Sequence, residues 1–188
     1  KEFLEEKLGI YDEQLLNYLL KKVKILNLHK RQLLFRMGEK PTILPFLNQG
    51  ITRGYFVDQE GTEITDCFDF RQGSPIVPSL PLDAPARVDI EAITDCEFFC
   101  LPIYETIKLL DRDPFFINLY NKFLLISLKE CLDLKNVLHR YGAFQRYQWF
   151  LKTYPDLEGK VRERHIASFL GITEEHLCRQ KNLFYKSI

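Results

Sequence analysis

The chain lacks a long apolar run. No stretch of its 188 residues reaches the roughly 18 consecutive apolar residues that cross a bilayer, so no spanning helix and no membrane partner are expected. No N-terminal signal segment stands out. Cysteines are few and unpatterned: Cys67, Cys96, Cys100, Cys131 and Cys178 are odd in number and fit neither a disulfide framework nor a zinc spacing. They are expected to be reduced thiols of a cytoplasmic protein, with no metal and no cofactor. Catalytic patterns are missing as well. No carboxylate pair stands with a histidine, and there is no Ser-His-Asp set and no glycine-rich phosphate loop. An enzyme is therefore not expected. Internal repeats and low-complexity segments are absent too.

Net charge is also absent, since 26 Lys and Arg balance 26 Asp and Glu. By itself this speaks against nucleic-acid binding, but the distribution is uneven. From Arg140 onward nine basic residues face five acidic ones, net +4, which leaves −4 on the rest. A basic tail on an acidic front suits a DNA-binding unit attached to a sensing unit.

The periodicity of apolar residues changes along the chain. Residues 1–24 read as helical, through Phe3, Leu4, Leu8, Leu15, Leu16, Leu19 and Leu20, with a break at Gly9. From about Ile25 to Leu101, short apolar or alternating runs are punctuated by glycines. Strands are predicted at Ile43–Leu47, Ile51–Asp58, Glu63–Phe70, Val88–Ile93 and Glu97–Leu101, with a hairpin at Asp58–Gly61. Such spacing indicates a sandwich or barrel-like roll. Four prolines between Gly73 and Arg87 exclude a regular element there. The helical period returns at Tyr104–Leu110. Asp113-Pro114 then opens a helix that runs to about His139, with Asp as cap and Pro in the first turn. Its apolar residues occupy more than one face: Phe116, Phe123 and Val137 on one side, Ile117, Leu124, Leu128 and Leu138 on another. One face could lie on the roll and the other on a second copy; a singly buried helix is the alternative. Gly142 marks a boundary, and Ala143–Thr153 is a further helix.

The segment Glu163–Asn182 carries the densest information. Ala167 is small where a second helix must cross. Gly171, four residues later, suits a left-handed turn. Ile166, Leu170, Ile172 and Leu177 supply apolar contacts. Thr173 is placed to cap a second helix, with Glu174 and Glu175 in its positively polarised first turn. This is the pattern of a helix-turn-helix whose second helix enters a major groove. An ordinary helical hairpin is the alternative reading of these residues.

Together with Phe35–Glu39, Leu47–Gly50, Phe70–Gly73, Tyr147–Pro155 and Ile166–Thr173 with Arg179, this order of elements resembles the Crp/Fnr family of bacterial transcription regulators. The resemblance covers nearly the whole chain. It implies an α+β fold: an N-terminal double-stranded β-roll of the cyclic-nucleotide-binding type, a long central dimerisation helix, and a C-terminal winged-helix-type helix-turn-helix. The implied division is 1–112 for the roll with its N-terminal helix, 113–140 for the dimerisation helix and hinge, and 141–188 for the DNA-binding part. The expected partners are double-stranded DNA with an inverted repeat, a second copy of the chain, RNA polymerase, and a small effector of unknown identity. The rival reading is a ligand-sensing roll whose helix-turn-helix contacts protein.

Several positions depart from the family. Nucleotide-binding members carry Gly-Glu and a later Arg-Ser or Arg-Thr, for the ribose and the cyclic phosphate. Here Gly73 is followed by Ser74 and by Pro75, which has no N–H. The Arg position falls on Ala86, with Arg87 one step away on the opposite face of an extended segment. Gly73, Ser74 and Arg87 are the remaining effector-pocket candidates, and a response to cyclic AMP is not expected. An iron–sulfur sensor needs clustered cysteines, and His29 is the only histidine before His139. The position after Arg179, apolar in the family, is Gln180, with Leu183 or Phe184 as substitutes for the inward role. Few residues follow the second helix and leave no room for the usual wing, so either the chain is truncated or its subgroup lacks the wing. On the reading helix Thr173, Glu174, Glu175, His176 and Arg179 are the base-contact candidates, Arg179 foremost because its fork spans guanine O6 and N7. Lys160, Arg162, Arg164 and Lys181 are the phosphate-contact candidates. Phe116, Ile117, Phe123, Leu124 and Leu128 are the candidates for the dimer face.

Overall fold

The computed structural model describes residues 1–186. Two short helices come first: α1 (Glu2–Glu6) and α2 (Glu13–Lys22). Gly9 breaks the run between them at φ +69°, and the Asp12 carboxylate caps α2 by accepting from the Leu15 amide at 2.8 Å. The strands are β1 (Lys24–Leu28), β2 (Leu33–Phe35), β3 (Ile43–Gln49), β4 (Thr52–Val57), β5 (Glu63–Asp69), β6 (Asp89–Ala92) and β7 (Cys96–Pro102). Helices α3 (Ile103–Arg112), α4 (Pro114–Arg140), α5 (Ala143–Thr153), α6 (Glu163–Phe169) and α7 (Glu174–Lys186) complete the chain. The fold is α+β, a β-roll followed by a helical part.

The roll has a three-stranded sheet in the order β1-β7-β3 and a four-stranded sheet in the order β2-β6-β4-β5. β1 and β3 flank β7 antiparallel, with Leu26 and Leu47 both opposite Phe98. Alternation along β7 creates two cores. Cys96, Phe98 and Cys100 face a cluster with Phe35, Leu47, Ile76, Ala86, Ile90 and Ala92. Leu101, with Phe99 half-buried beside it, faces the other way, onto Phe3, Leu4, Leu16, Leu19 and Phe116 of the helices and onto Leu8 and Ile10 of the segment between α1 and α2. Cys96 and Cys100 thus share the inner face, as their spacing implies. Burial pushes both thiols up, Cys100 to about 12, so they are inert core residues. β1 and β2 are strands that the turn signals alone do not reveal; β2 has only three residues. The proline-rich stretch is irregular, and its Ile76, Leu82 and Ala86 are buried in the two clusters.

At the predicted hairpin tip, the Asp58 carboxylate accepts from the Glu60 and Thr62 amides, both at 2.9 Å, and Gly61 sits at φ +83°. Asp113 caps α4 through the Phe115 amide at 2.9 Å. α4 runs one residue beyond the predicted end and has 27 residues.

Compactness divides the chain differently from the order of its elements. One unit comprises Lys1–Gly54 and Phe68–Leu124; the other comprises Tyr55–Cys67 and Leu125–Ile188. The first holds both roll cores. In the second, the end of α4, helices α5–α7 and the hairpin tip gather. Its aromatic core joins Phe150, Tyr154 and Phe169, with ring centroids 5.4 to 6.2 Å apart.

Candidate nucleic-acid interface

The helix-turn-helix forms where its spacing predicts. Ile166, Ala167, Leu170 and Leu177 are buried, Ala167 at 2% exposure. The amides of Leu170 and Ile172 both return to the Ala167 carbonyl, at 3.1 and 3.0 Å, which closes α6. Gly171 makes the turn at φ +63°. The Thr173 hydroxyl accepts from the His176 amide at 3.2 Å, and so acts as the cap of α7. Glu175 is held below the usual carboxylate range by its own amide, by the Thr173 hydroxyl and by the nearby charge of Arg179.

At 100° per residue, Leu177 and Gln180 mark the inner face of α7. Glu175, Cys178, Arg179 and Asn182 lie opposite, all exposed. Arg179 and Glu175 therefore stand together on the outward face, with Thr173 and Glu174 exposed at its start and His176 half-buried at its edge. Cys178 and Asn182 belong to the same face, although residue chemistry alone did not single them out. A helical projection of the sequence would have found them.

Gln180 is buried and takes the inward position itself. Phe184 also turns inward, with its ring edge-on to Tyr147 at 5.8 Å. Leu183 does not: it is 54% exposed. No wing strand follows α7 among the described residues.

The phosphate candidates separate into two groups. Lys160, Arg162 and Arg164 are exposed, just before α6 and in its first turn. Lys181 is placed differently. Its ammonium lies 2.5 Å from Glu163 Oε1 and 3.7 Å from Glu158 Oε1, tying α7 to α6 and the preceding loop. Burial is the largest single effect and works to lower its pKa, but the bond to Glu163 and the charges of Glu163 and Glu158 together outweigh it and leave the ammonium above its ordinary value. Glu158 also accepts from the hydroxyls of Tyr147 and Tyr185. Burial and the Glu158 carboxylate raise the Tyr147 pKa, so Tyr147 stays a donor. Lys181 is part of this scaffold rather than a solvent-facing cation.

Within the same compact unit, the hairpin tip docks on α6. The Thr65 amide donates to Ser168 Oγ at 2.9 Å, and the Ser168 hydroxyl donates to the Glu63 carbonyl at 3.1 Å. An open cleft of about 650 Å³ lies there, lined by Thr62–Ile64 on one side and by Arg164, Gly171, Thr173 and Glu174 on the other.

The effector candidates find little support in their surroundings. Gly73 is buried, and a Cβ on it would stand 2.9 Å from Lys7 Cβ. The amides of Gly73, Ser74, Ile76, Ala86 and Arg87 all donate to backbone carbonyls, at 2.8 to 3.1 Å. Ala86 is buried in the apolar cluster, whereas Arg87 is exposed. The one-step offset therefore holds: the inward position carries a methyl group and the cation faces solvent.

The faces of α4 resolve as well. Phe116 is buried, and Phe123 packs against the same roll cluster, so these two are core rather than surface. Apolar residues all round a helix do not say which face meets the roll; here Phe116, Leu119, Tyr120 and Phe123 do. Ile117 and Leu128 remain 41% and 54% exposed, and Leu125, Ile126 and Leu132 are exposed near them. Leu124 is half-buried at the margin. Among the described residues no group of His, Cys, Asp and Glu could hold a metal ion, and no helix is long and apolar enough to cross a membrane.

No protein-family model and no curated protein matches the chain. Solved structures do. A putative transcriptional regulator of the Crp/Fnr family from Eubacterium rectale superposes with a TM-score of 0.78 at 17% identity, covering 100% of this chain and 89% of its own. FixK2 from Bradyrhizobium japonicum gives 0.77 at 17% identity, covering 88% of this chain and 85% of its own. CLP from Xanthomonas campestris, described as a c-di-GMP-responsive global regulator, gives 0.72 at 16% identity, covering 94% of this chain and 93% of its own. The chain has the fold of Crp/Fnr-type regulators.

Proposed function

We propose that this chain is a homodimeric, sequence-specific DNA-binding transcription regulator that does not respond to cyclic AMP. One observation carries the reading. The outward face of α7 presents Arg179 and Glu175 together, on a helix held by a well-formed turn. A guanidinium fork on an exposed reading helix is suited to guanine O6 and N7, and a carboxylate four residues before it can orient the fork or accept from cytosine N4. Lys160, Arg162 and Arg164, exposed just before α6 and in its first turn, serve as the phosphate contacts in this reading.

A second copy covers the exposed apolar residues of α4. Ile117, Leu125, Leu128 and Leu132 lie on the side of the helix away from Phe116 and Phe123, as a two-fold helix pair requires. Against cyclic AMP stand Ala86 in the inward position, Ser74 in place of a carboxylate, and backbone amides already engaged with carbonyls. A buried phosphate left without a cation costs several kcal/mol. Neighbours of the same fold include a c-di-GMP-responsive regulator, so the fold does not select an effector.

Selection from a random duplex library tests the reading. The wild type is expected to select an inverted repeat with half-sites about 34 Å apart. Arg179→Ala should weaken binding by about 1–3 kcal/mol and relax preference at one base pair per half-site. Selection of the same motif by Arg179→Ala would refute the role of Arg179.

A further inference from the structure

We infer that Arg146 is a positioning residue that keys the reading head to the end of the long helix α4, and so sets the spacing at which two heads can read DNA. This rests on the regulator reading for its consequence, but not for its geometry. Arg146 lies on α5 and touches no part of the outward face of α7. Its guanidinium is shared among carbonyls from two places. Nη2 donates to the Leu138 carbonyl at 2.7 Å, and Nε donates to the Tyr141 carbonyl at 2.9 Å. Nη1 donates to the Leu170 carbonyl at 2.9 Å, with the Gly171 carbonyl at 3.5 Å. The first two acceptors are the last turn of α4 and the residue just beyond it. The other two are the turn of the helix-turn-helix. All lie within one compact unit of the chain.

The acceptors explain why a cation stands here. The C-terminal ends of α4 and α6 both point carbonyls and negative dipole ends at the same spot. One planar fork satisfies both, and its fixed geometry sets the angle between them. Gly171 is part of the joint. A Cβ there would lie 3.4 Å from Arg146 Nη1 and 3.7 Å from Leu138 Cδ2, so the turn packs directly on the fork and on α4. Two residues later Thr173 caps α7, which begins at Glu174. The direction of the reading helix is thus referred to α4, where the proposed two-fold pairing occurs. A lysine cannot reproduce this, because a single ammonium does not present donors in the required plane.

The test uses the full chain and two variants, Arg146→Lys and Arg146→Gln. Cys131 on α4 and Cys178 on α7 are both exposed and serve as spin-label sites in a Cys67→Ala background. Labelled protein is diluted into unlabelled protein, so that only distances within one chain are read. The wild type should give one narrow distance distribution. Both variants should broaden it while keeping helical content and a cooperative melt. On duplexes with two half-sites and varied spacers, the wild type should prefer one spacer. The variants should bind an isolated half-site like the wild type but lose about tenfold of that preference, the equivalent of one charge-assisted bond. A distribution as narrow in both variants as in the wild type overturns the inference. So does broadening accompanied by an equal loss of half-site binding, which would make Arg146 merely structural. If Arg146→Gln melts early, Arg146→Lys decides by the same criteria. The distances need no DNA, so a wild type that binds none would refute the regulator reading while the distances still judged the joint.

Discussion

Replacing Leu128 by glutamate should dissociate the protein into monomers. Leu128 is 54% exposed on the outward side of α4, between Leu125 at 66% and Leu132 at 50%. Burying a whole leucine side chain is worth about 1.5–3 kcal/mol, so burying the exposed half gains about 0.8–1.5 kcal/mol per chain. A two-fold interface counts each residue twice, which gives about 1.5–3 kcal/mol for this position. Leu128→Ala should forfeit much of that and weaken association about ten- to a hundredfold. Leu128→Glu forfeits it and in addition brings two carboxylates toward the axis. Desolvating them adds a few kcal/mol, for a total loss of about a thousandfold or more. Sedimentation equilibrium from nanomolar to tens of micromolar reads these constants directly. The wild type should be a dimer at micromolar concentration, with Leu128→Ala intermediate and Leu128→Glu monomeric. A monomeric wild type, or a Leu128→Glu variant that dimerises as tightly as the wild type, would refute the reasoning. Leu125→Glu should behave alike, whereas Phe123→Ala should act by lowering stability, since Phe123 packs on the roll.

Further outcomes follow from other sites. Asn182→Ala should relax base preference at a position that Arg179→Ala leaves intact, as read by library selection, because the two residues occupy different turns of one outward face. Lys181→Met should lower the thermal midpoint while leaving the salt dependence of DNA binding unchanged, because its charge is spent on Glu163 and Glu158. Titration calorimetry with cyclic AMP should detect no binding below millimolar concentration; a low-micromolar constant would contradict it. Acid stability should depend on Glu105, whose carboxyl is held down to about 2 by Lys22 and the Tyr18 hydroxyl. A depressed carboxyl stabilises the fold above its ordinary value of 4.5 and loses that contribution as pH falls toward 2. Glu105→Gln should therefore melt below the wild type at pH 7, with the difference vanishing as pH approaches 2.

The readable features were those with local causes. The turn of the helix-turn-helix depends on Ala167, Gly171 and Thr173, which are neighbours in the chain, and each sits where spacing alone put it. The Asp58–Gly61 hairpin and the Asp113 cap are equally local. What could not be read depends on distant partners. Lys181 looks like any basic residue on a reading helix until Glu158 and Glu163 are brought beside it. Phe116 and Phe123 are indistinguishable from Ile117 and Leu128 as apolar positions, because only the docked roll decides which face is core. Arg146 was invisible because its partners are backbone carbonyls, which leave no trace in side-chain identity. The offset of Arg87 from Ala86 agrees with reading the segment as extended, although the stretch before β6 is irregular: Ala86 is buried in the apolar cluster and Arg87 is exposed.

The claim that the outward face of α7 reads DNA is tested most directly by binding to two duplexes over a range of salt. One carries the selected inverted repeat; the other has the same composition in scrambled order. The account predicts that log K falls linearly with log salt on both, with a slope set by the phosphate contacts. It also predicts that the inverted repeat remains at least about a thousandfold tighter at physiological salt. Equal affinity for the two duplexes, or no salt-dependent binding to either, would contradict it.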